Sequence, residues 1–192
     1  MFDLSLYSVV LLVHIASAIV LVGSALFAPL TRHAILRAST VDRVLDWLDF
    51  LRRSARANPP AAMVLLASGL YLGSEGWWSQ PWFYVALGAW VANFSLATFA
   101  VKPSVIALAR AAAGAGSGPV GAEIDRLRRS RRWEVAEGLM RGNDLAMMYV
   151  MFVKPSAAES LVVVAAAGLG CLAIEWALAR RVTRVETPVL AS

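Results

Sequence analysis

His14 is an imidazole set inside an apolar run, Leu4 to Leu30, that holds no Asp, Glu, Lys or Arg. As a neutral ring it can ligate haem iron or copper, relay protons, or hydrogen-bond to a neighbouring helix. An ionisable residue buried in such a run is a functional candidate by default. Met147, Met148 and Met151 form a second set late in the chain. Thioethers are soft ligands for Cu(I) and serve as second axial ligands to haem, although methionine in an apolar run also fills cores. Met63 in the second run and Met140 late in the chain are open to the same two readings. No second histidine lies inside an apolar run, so bis-histidine haem within one chain is not expected. His33 falls just past the run, in TRHAILR, where water or headgroups reach it. Asn93 sits in mid-run and needs a partner on a facing helix, with His14 as one candidate. Glu159 and Glu175 lie near the ends of the last apolar run, within reach of water or of Arg180. Lys102 and Lys154 adjoin breaks and can snorkel. Cys171 is the only cysteine, so no internal disulfide and no CxxC site can form. No phosphate-binding glycine loop, Ser-His-Asp set or zinc spacing occurs, so hydrolase and nucleotide-binding classes have no support.

The elements that position these residues are read from hydropathy. The chain has 192 residues, 59% of them hydrophobic and 16% charged, against about 25% charged in soluble domains. This implies an all-α integral membrane bundle of four transmembrane helices in a single domain, 1–192. The expected spans are about 4–30, 59–73, 82–102 and 156–179. The first, as a helix, rises about 40 Å and exceeds the roughly 30 Å hydrocarbon core. The N-terminus MFDLSLYS lacks a basic region, so this run is expected to stay as an anchor. The second span starts at Pro59-Pro60 and carries Gly69 and Gly73, a GxxxG pair that admits a close neighbour. Ser74 to Trp82 reads as an aromatic belt.

Between spans the charges cluster. Thr40 followed by VDRVLDWLDFLRRSAR predicts a capped amphipathic helix lying on the inner membrane surface. GAGSGPVG predicts a flexible joint, and AEIDRLRRSRRWEVAEGLMR a basic helical loop. DLAMMYVMFV, from Asp144 to Val153, is too short to cross alone and reads as a re-entrant, interfacial or extending segment. The tetrapeptide VKPS occurs at Val101–Ser104 and Val153–Ser156. Arginine-rich loops one and three face the cytoplasm by the positive-inside rule. Four spans then leave Arg180, Arg181 and Arg184 on the outer side, against the same rule. The arginine clusters flank apolar runs, so lipid is the expected partner and nucleic acid is not. A membrane protein partner or a second copy is the further candidate.

LVHIASAIVLVGSALFAPLTRHAIL, then RANPPAAMVLLASGLYLG and a Trp-rich turn, resembles a family of small bacterial integral membrane proteins of unknown function. That family is related to CopD-like membrane domains and is similar, more distantly, to HemJ-type protoporphyrinogen oxidases. The resemblance covers about residues 5 to 103. It implies haem b on the first-span histidine, here His14. The HemJ-type lysine ligand in span three has no match inside the span, Lys102 lying at its end. The CopD-like side implies copper passage, with His14, Met147, Met148 and Met151 as ligands. The expected function is a bacterial inner-membrane protein that binds haem or takes part in redox chemistry through His14. Copper handling and a structural accessory subunit without a catalytic site are the alternatives.

Overall fold

The computed structural model describes residues 5–185, with side chains through residue 177. The expected first residue of span one, Leu4, lies outside the described residues, as do the side chains of Arg180, Arg181 and Arg184. The described chain is helical with no strand: α1 (Leu6–Arg37), α2 (Val41–Ser54), α3 (Asn58–Ser74), α4 (Pro81–Leu96), α5 (Lys102–Gly114), α6 (Ala122–Arg128), α7 (Arg131–Val153) and α8 (Ala157–Val185). Among the described residues, three segments are long and apolar enough to cross a membrane: Leu6–Arg37, Pro81–Gly114 and Ala157–Ala177. The 17 residues of α3 are apolar but shorter. The packing is inverted relative to a water-soluble core. Leu12, Ile19, Phe27, Leu30, Leu161, Val162 and Leu169 face outward, while Ser17, Ser68, Ala86, Ala89 and Ala146 are buried. Small residues inside and large apolar ones outside suit lipid as the outer solvent, where close approach of backbones holds helices together.

The segment Asp144–Val153 is not a short piece of its own. It is the second half of α7, which runs unbroken for 23 residues from Arg131, about 34 Å. The stretch expected as a basic loop supplies the first half. Nothing in Arg131–Val153 breaks a helix: there is no proline, and Gly138 and Gly142 are retained for packing. A Cβ on Gly142 would stand 2.5 Å from the Ala167 carbonyl oxygen and 2.6 Å from Gly168 Cα. One on Gly138 would meet Leu172 at 2.8 Å and Glu175 at 2.9 Å. Gly142 lets α7 lie directly on the backbone of α8, and Gly138 makes room for two α8 side chains. The pair singled out in the sequence works differently from Gly142. Gly69 makes room for the His14 ring and Gly73 for the Phe83 ring, so side chains rather than a helix backbone fill the notch.

The pairings fix direction. Ser24 meets Asn58 and His14 meets Ser68, so α1 and α3 are antiparallel. Ala25 meets Arg141 and Arg32 meets Glu134, so α7 is antiparallel to α1. Asn143 meets Ala89 on α4 and Arg132 meets Phe99 in the helical turn that continues it, so α7 is antiparallel to α4 as well. One end of the bundle is rich in arginine and the other in tryptophan. α7 spans both: Glu134 is at the first, and Lys154 lies 3.7 Å from the Trp77 ring centroid at the second.

At the arginine-rich end the connecting segments form a cap. Thr40 caps α2 by accepting the Arg43 N–H, as its sequence signature predicts. The apolar face of α2 does not rest on lipid, however. Val41, Val44 and Leu48 pack with Ile35, Leu108, Ala112, Ile124 and Trp133. The cause is the reach of the third span, which continues through Lys102-Pro103 to Gly114 and brings Leu108 and Ala112 under α2. The glycine-rich stretch is docked, not a free joint: Val41 N–H donates to Gly118 O at 2.9 Å and Val120 N–H to Ser39 O at 3.2 Å. Gly116 and Gly118, at φ 69° and 145°, take backbone conformations that favour glycine. Arg128 closes the end of α1 by donating to the Ile35 and Ala38 carbonyls at 3.1 and 2.7 Å. A guanidinium there satisfies carbonyls that the helix leaves open and suits its dipole.

The two VKPS segments have unlike backbones. The first passes inside continuous helix; the second ends α7, with Lys154 left-handed at φ 53°. The repeat therefore does not correspond to a repeated structural unit among the described residues.

Candidate functional site

His14 projects from α1 onto α3. Its Nδ1 lies 3.0 Å from Ser68 Oγ and 3.2 Å from the Leu65 carbonyl oxygen. That carbonyl can only accept. The Ser68 hydroxyl proton is already directed to the Val64 carbonyl at 2.6 Å. These contacts favour Nδ1 as the donor, with the proton on that nitrogen. Nε2 is left with its lone pair and without a hydrogen-bond partner among the described residues. Gly69 permits this placement, since a Cβ there would come within 3.1 Å of His14 Cε1. Beside Ser68, a groove of about 350 Å³ opens between α1 and α3, lined by Val9, Val10, Val13, Val64, Ala67 and Tyr71.

The other sequence candidates lie elsewhere. Met147 packs against Trp82, Phe83 and Val150 near the tryptophan-rich end. Met148 and Met151 are exposed on the outer surface. No hydrogen bond or packing cluster joins them to His14 among the described residues. His33 and Met63 are exposed, and Cys171 is a free, half-buried thiol. No group of three or more His, Cys, Asp or Glu side chains stands at metal-binding distance among the described residues.

Asn93 does not partner His14. Its amide donates to Asp144 Oδ1 at 2.6 Å, and its carbonyl accepts from Asn143 Nδ2 at 2.8 Å. Asn143 Nδ2 donates as well to the Ala89 carbonyl at 2.8 Å. Glu175 turns to Arg141, and the Arg180 side chain, expected within its reach, lies outside the described residues. Glu175 Oε1 accepts a short hydrogen bond from Arg141 Nη1. Arg32 pairs with Glu134 at 3.4 Å and lies over the Trp133 ring at 5.7 Å from its centroid. Together these side chains make a polar column along the inward side of α7, with Glu134, Glu137, Arg141 and Asp144 following one another at spacings of three, four and three.

Proline chemistry explains how α7 is held. Pro29 has no N–H for the Ala25 carbonyl four residues back, and Pro103 none for Phe99. Both carbonyls accept from α7 arginines instead: Ala25 O from Arg141 Nε at 3.2 Å, and Phe99 O from Arg132 Nη2. The sequence carries each half of this device, but pairing a proline in one span with an arginine in another needs the fold. The 3-4-3 spacing of charges was the available signal for the column. It was hidden because charges between apolar runs read first as a loop.

No family model, curated protein or solved structure matches this chain.

Proposed function

We propose that the chain is a multi-pass protein of a bacterial inner membrane whose His14 holds haem b or serves redox chemistry at that position. One observation carries this reading. His14 Nδ1–H is bound to a backbone carbonyl and a serine hydroxyl, which leaves Nε2 free as a base. Ligating histidines generally have the same arrangement: the second nitrogen donates to a carbonyl, which fixes the tautomer and raises the basicity of the first. The residues present fit a single axial nitrogen ligand, with Ser68 and Leu65 orienting it. When bound, the haem would supply one-electron chemistry. The resemblance to HemJ-type and CopD-like sequences in the first two spans points the same way. Copper handling is less well supported, because His14 and the three methionines face different surroundings. A structural accessory subunit remains the reading if neither group binds.

The absorption spectrum of the full chain, purified in mild detergent from haem-replete cells, tests the proposal. A Soret band that His14→Ala abolishes, while the protein stays folded, is the expected result. A chain without that band, before and after hemin addition, overturns it. Copper found by metal analysis would favour the second reading.

The alternating helix directions and the reach of α7 support five crossings rather than four, with α3 and α7 running opposite to α1, α4 and α8. The arginine-rich end then faces the cytoplasm. Arg180, Arg181 and Arg184 fall on the same side, which removes the conflict that four spans create. A fluorescent protein fused to the C-terminus should mature and fluoresce in the cytoplasm. A periplasmic reporter active at that position would sink the five-span arrangement.

A further inference from the structure

The polar column along α7 has a use that the His14 reading does not call on. Near the arginine-rich end three carboxylates, Glu134, Glu137 and Glu175, meet two guanidiniums, Arg32 and Arg141. Arg32 is taken by Glu134 and Arg141 by Glu175. Glu137 is left without an ion-pair partner among the described residues, at 9% exposure. The groups that act on it are Arg32 from α1, Arg141 from its own helix and Glu175 from α8, with the Trp133 indole as its uncharged neighbour. α4 carries no ionisable side chain other than Tyr84, which bonds to Trp78 at the opposite end. Trp133 is fully buried, and its indole N–H faces Glu137 without a hydrogen bond of ordinary geometry. Arg32 Nε and Glu175 Oε2 are also buried without partners. Three unsatisfied polar atoms in one buried cluster are uncommon in a static structural site, where such groups are normally paired.

We propose that Glu137 is a proton-exchange site, open to the arginine-rich end of the bundle and closed to the other. In one state Glu137 is a neutral acid and the two ion pairs balance the cluster. In the other it has given up one proton, and Arg32 and Arg141 hold the carboxylate. The proton leaves by Glu134, which is more exposed, with a side-chain exposure of 24%. Toward the tryptophan-rich end the column stops at Asp144. Beyond it, Met147 and Val150 pack with Trp82 and Phe83 into an apolar plug. Ionisable residues facing the interior of a membrane bundle commonly mark proton relays.

Infrared difference spectra of the full chain in nanodiscs, recorded across a pH titration, test this. The expected result is a protonated-carboxyl stretch that disappears as pH rises, is absent in Glu137→Gln, and persists in Glu123→Gln, an exposed control on α6. Glu137→Asp keeps a carboxyl at the position; its band should shift yet remain titratable, which keeps the test decisive should Glu137→Gln fail to fold. The proposal is overturned if no carboxyl band titrates in the parent chain. It is equally overturned if the band survives Glu137→Gln unchanged, or if Asp144→Asn alone removes it. None of these readouts involves haem, so the two readings fail separately.

Discussion

Two polar features lie within this helix bundle, and they are built on opposite lines. His14 is a single uncharged ring whose one donor is met by two acceptors on a neighbouring helix, beside a glycine that clears its path. The α7 column is a chain of charges and amides that touches α1, α4 and α8 and leaves several buried atoms without partners. The first asks little of the fold, since one serine and one carbonyl suffice. The second is held by paired arginines, proline-freed carbonyls and a glycine contact. An isolated polar group in a helix bundle can be accommodated locally. A buried ionic cluster must be built by several helices at once.

That contrast predicts a ranking of mutational effects. Arg141→Met should be the most damaging, because it strands Glu175 and the Ala25 carbonyl together. Breaking a buried pair from one side costs about 3–5 kcal/mol, measurable as lost thermal stability in detergent. Arg141→Met combined with Glu175→Met should recover much of that loss; if the double variant is as unstable as the single, the pair is not the source. Gly142→Ala should cost about 1–3 kcal/mol, since its methyl would overlap the α8 backbone. Gly168→Ala meets only Leu139 at 3.5 Å and should change little. Equal effects of the two would remove the close contact between α7 and α8 from the account.

The His14 side of the comparison predicts a smaller effect. Ser68→Ala removes one acceptor but leaves the Leu65 carbonyl, so about 1 kcal/mol or less should be lost. Where haem is bound, the Soret band should move without disappearing. A Ser68→Ala variant as unstable as Arg141→Met would erase the distinction between the two features.

The smallest effect concerns pH, at the cap. Burial pushes the Asp125 carboxyl up, but hydrogen bonds and charge from Arg128 and Arg129 outweigh it, so its pKa falls below the ordinary carboxylate value. A depressed folded-state value means stability that is present above the unfolded pKa and lost as pH falls through the folded one. Asp125→Asn should therefore flatten the acid side of the stability profile and leave neutral pH nearly level with alkaline pH. An unchanged acid limb would show that Arg128 holds the α1 terminus without help from this carboxylate.

Much of the bundle was legible from residues alone. The uncharged run around His14, the proline-led second helix and the Thr40 cap are all local signals, set by side-chain type and helical spacing. Where the sequence misled, the error was consistent. In a hydropathy reading, charge marks solvent. Glu137 and Arg141 then fall in a basic helical loop and Asp144 at the start of a segment too short to cross alone, and α2 falls on lipid where protein covers Val41, Val44 and Leu48. Hydropathy reports what a residue costs when it stands alone in an apolar medium. It does not report whether a partner from another helix cancels that cost.

Composition, the run of apolar residues and their period thus determined that the chain is helical and suited to a bilayer, because every backbone polar group must be satisfied inside its own segment there. They determined as well that an imidazole lies within the first helix. Only the tertiary structure decided that α7 is one helix running from end to end, that Pro29 and Pro103 open carbonyls for its arginines, and that Glu137 has no ion-pair partner among the described residues. Those facts depend on distances between residues far apart in the chain, which no local pattern encodes.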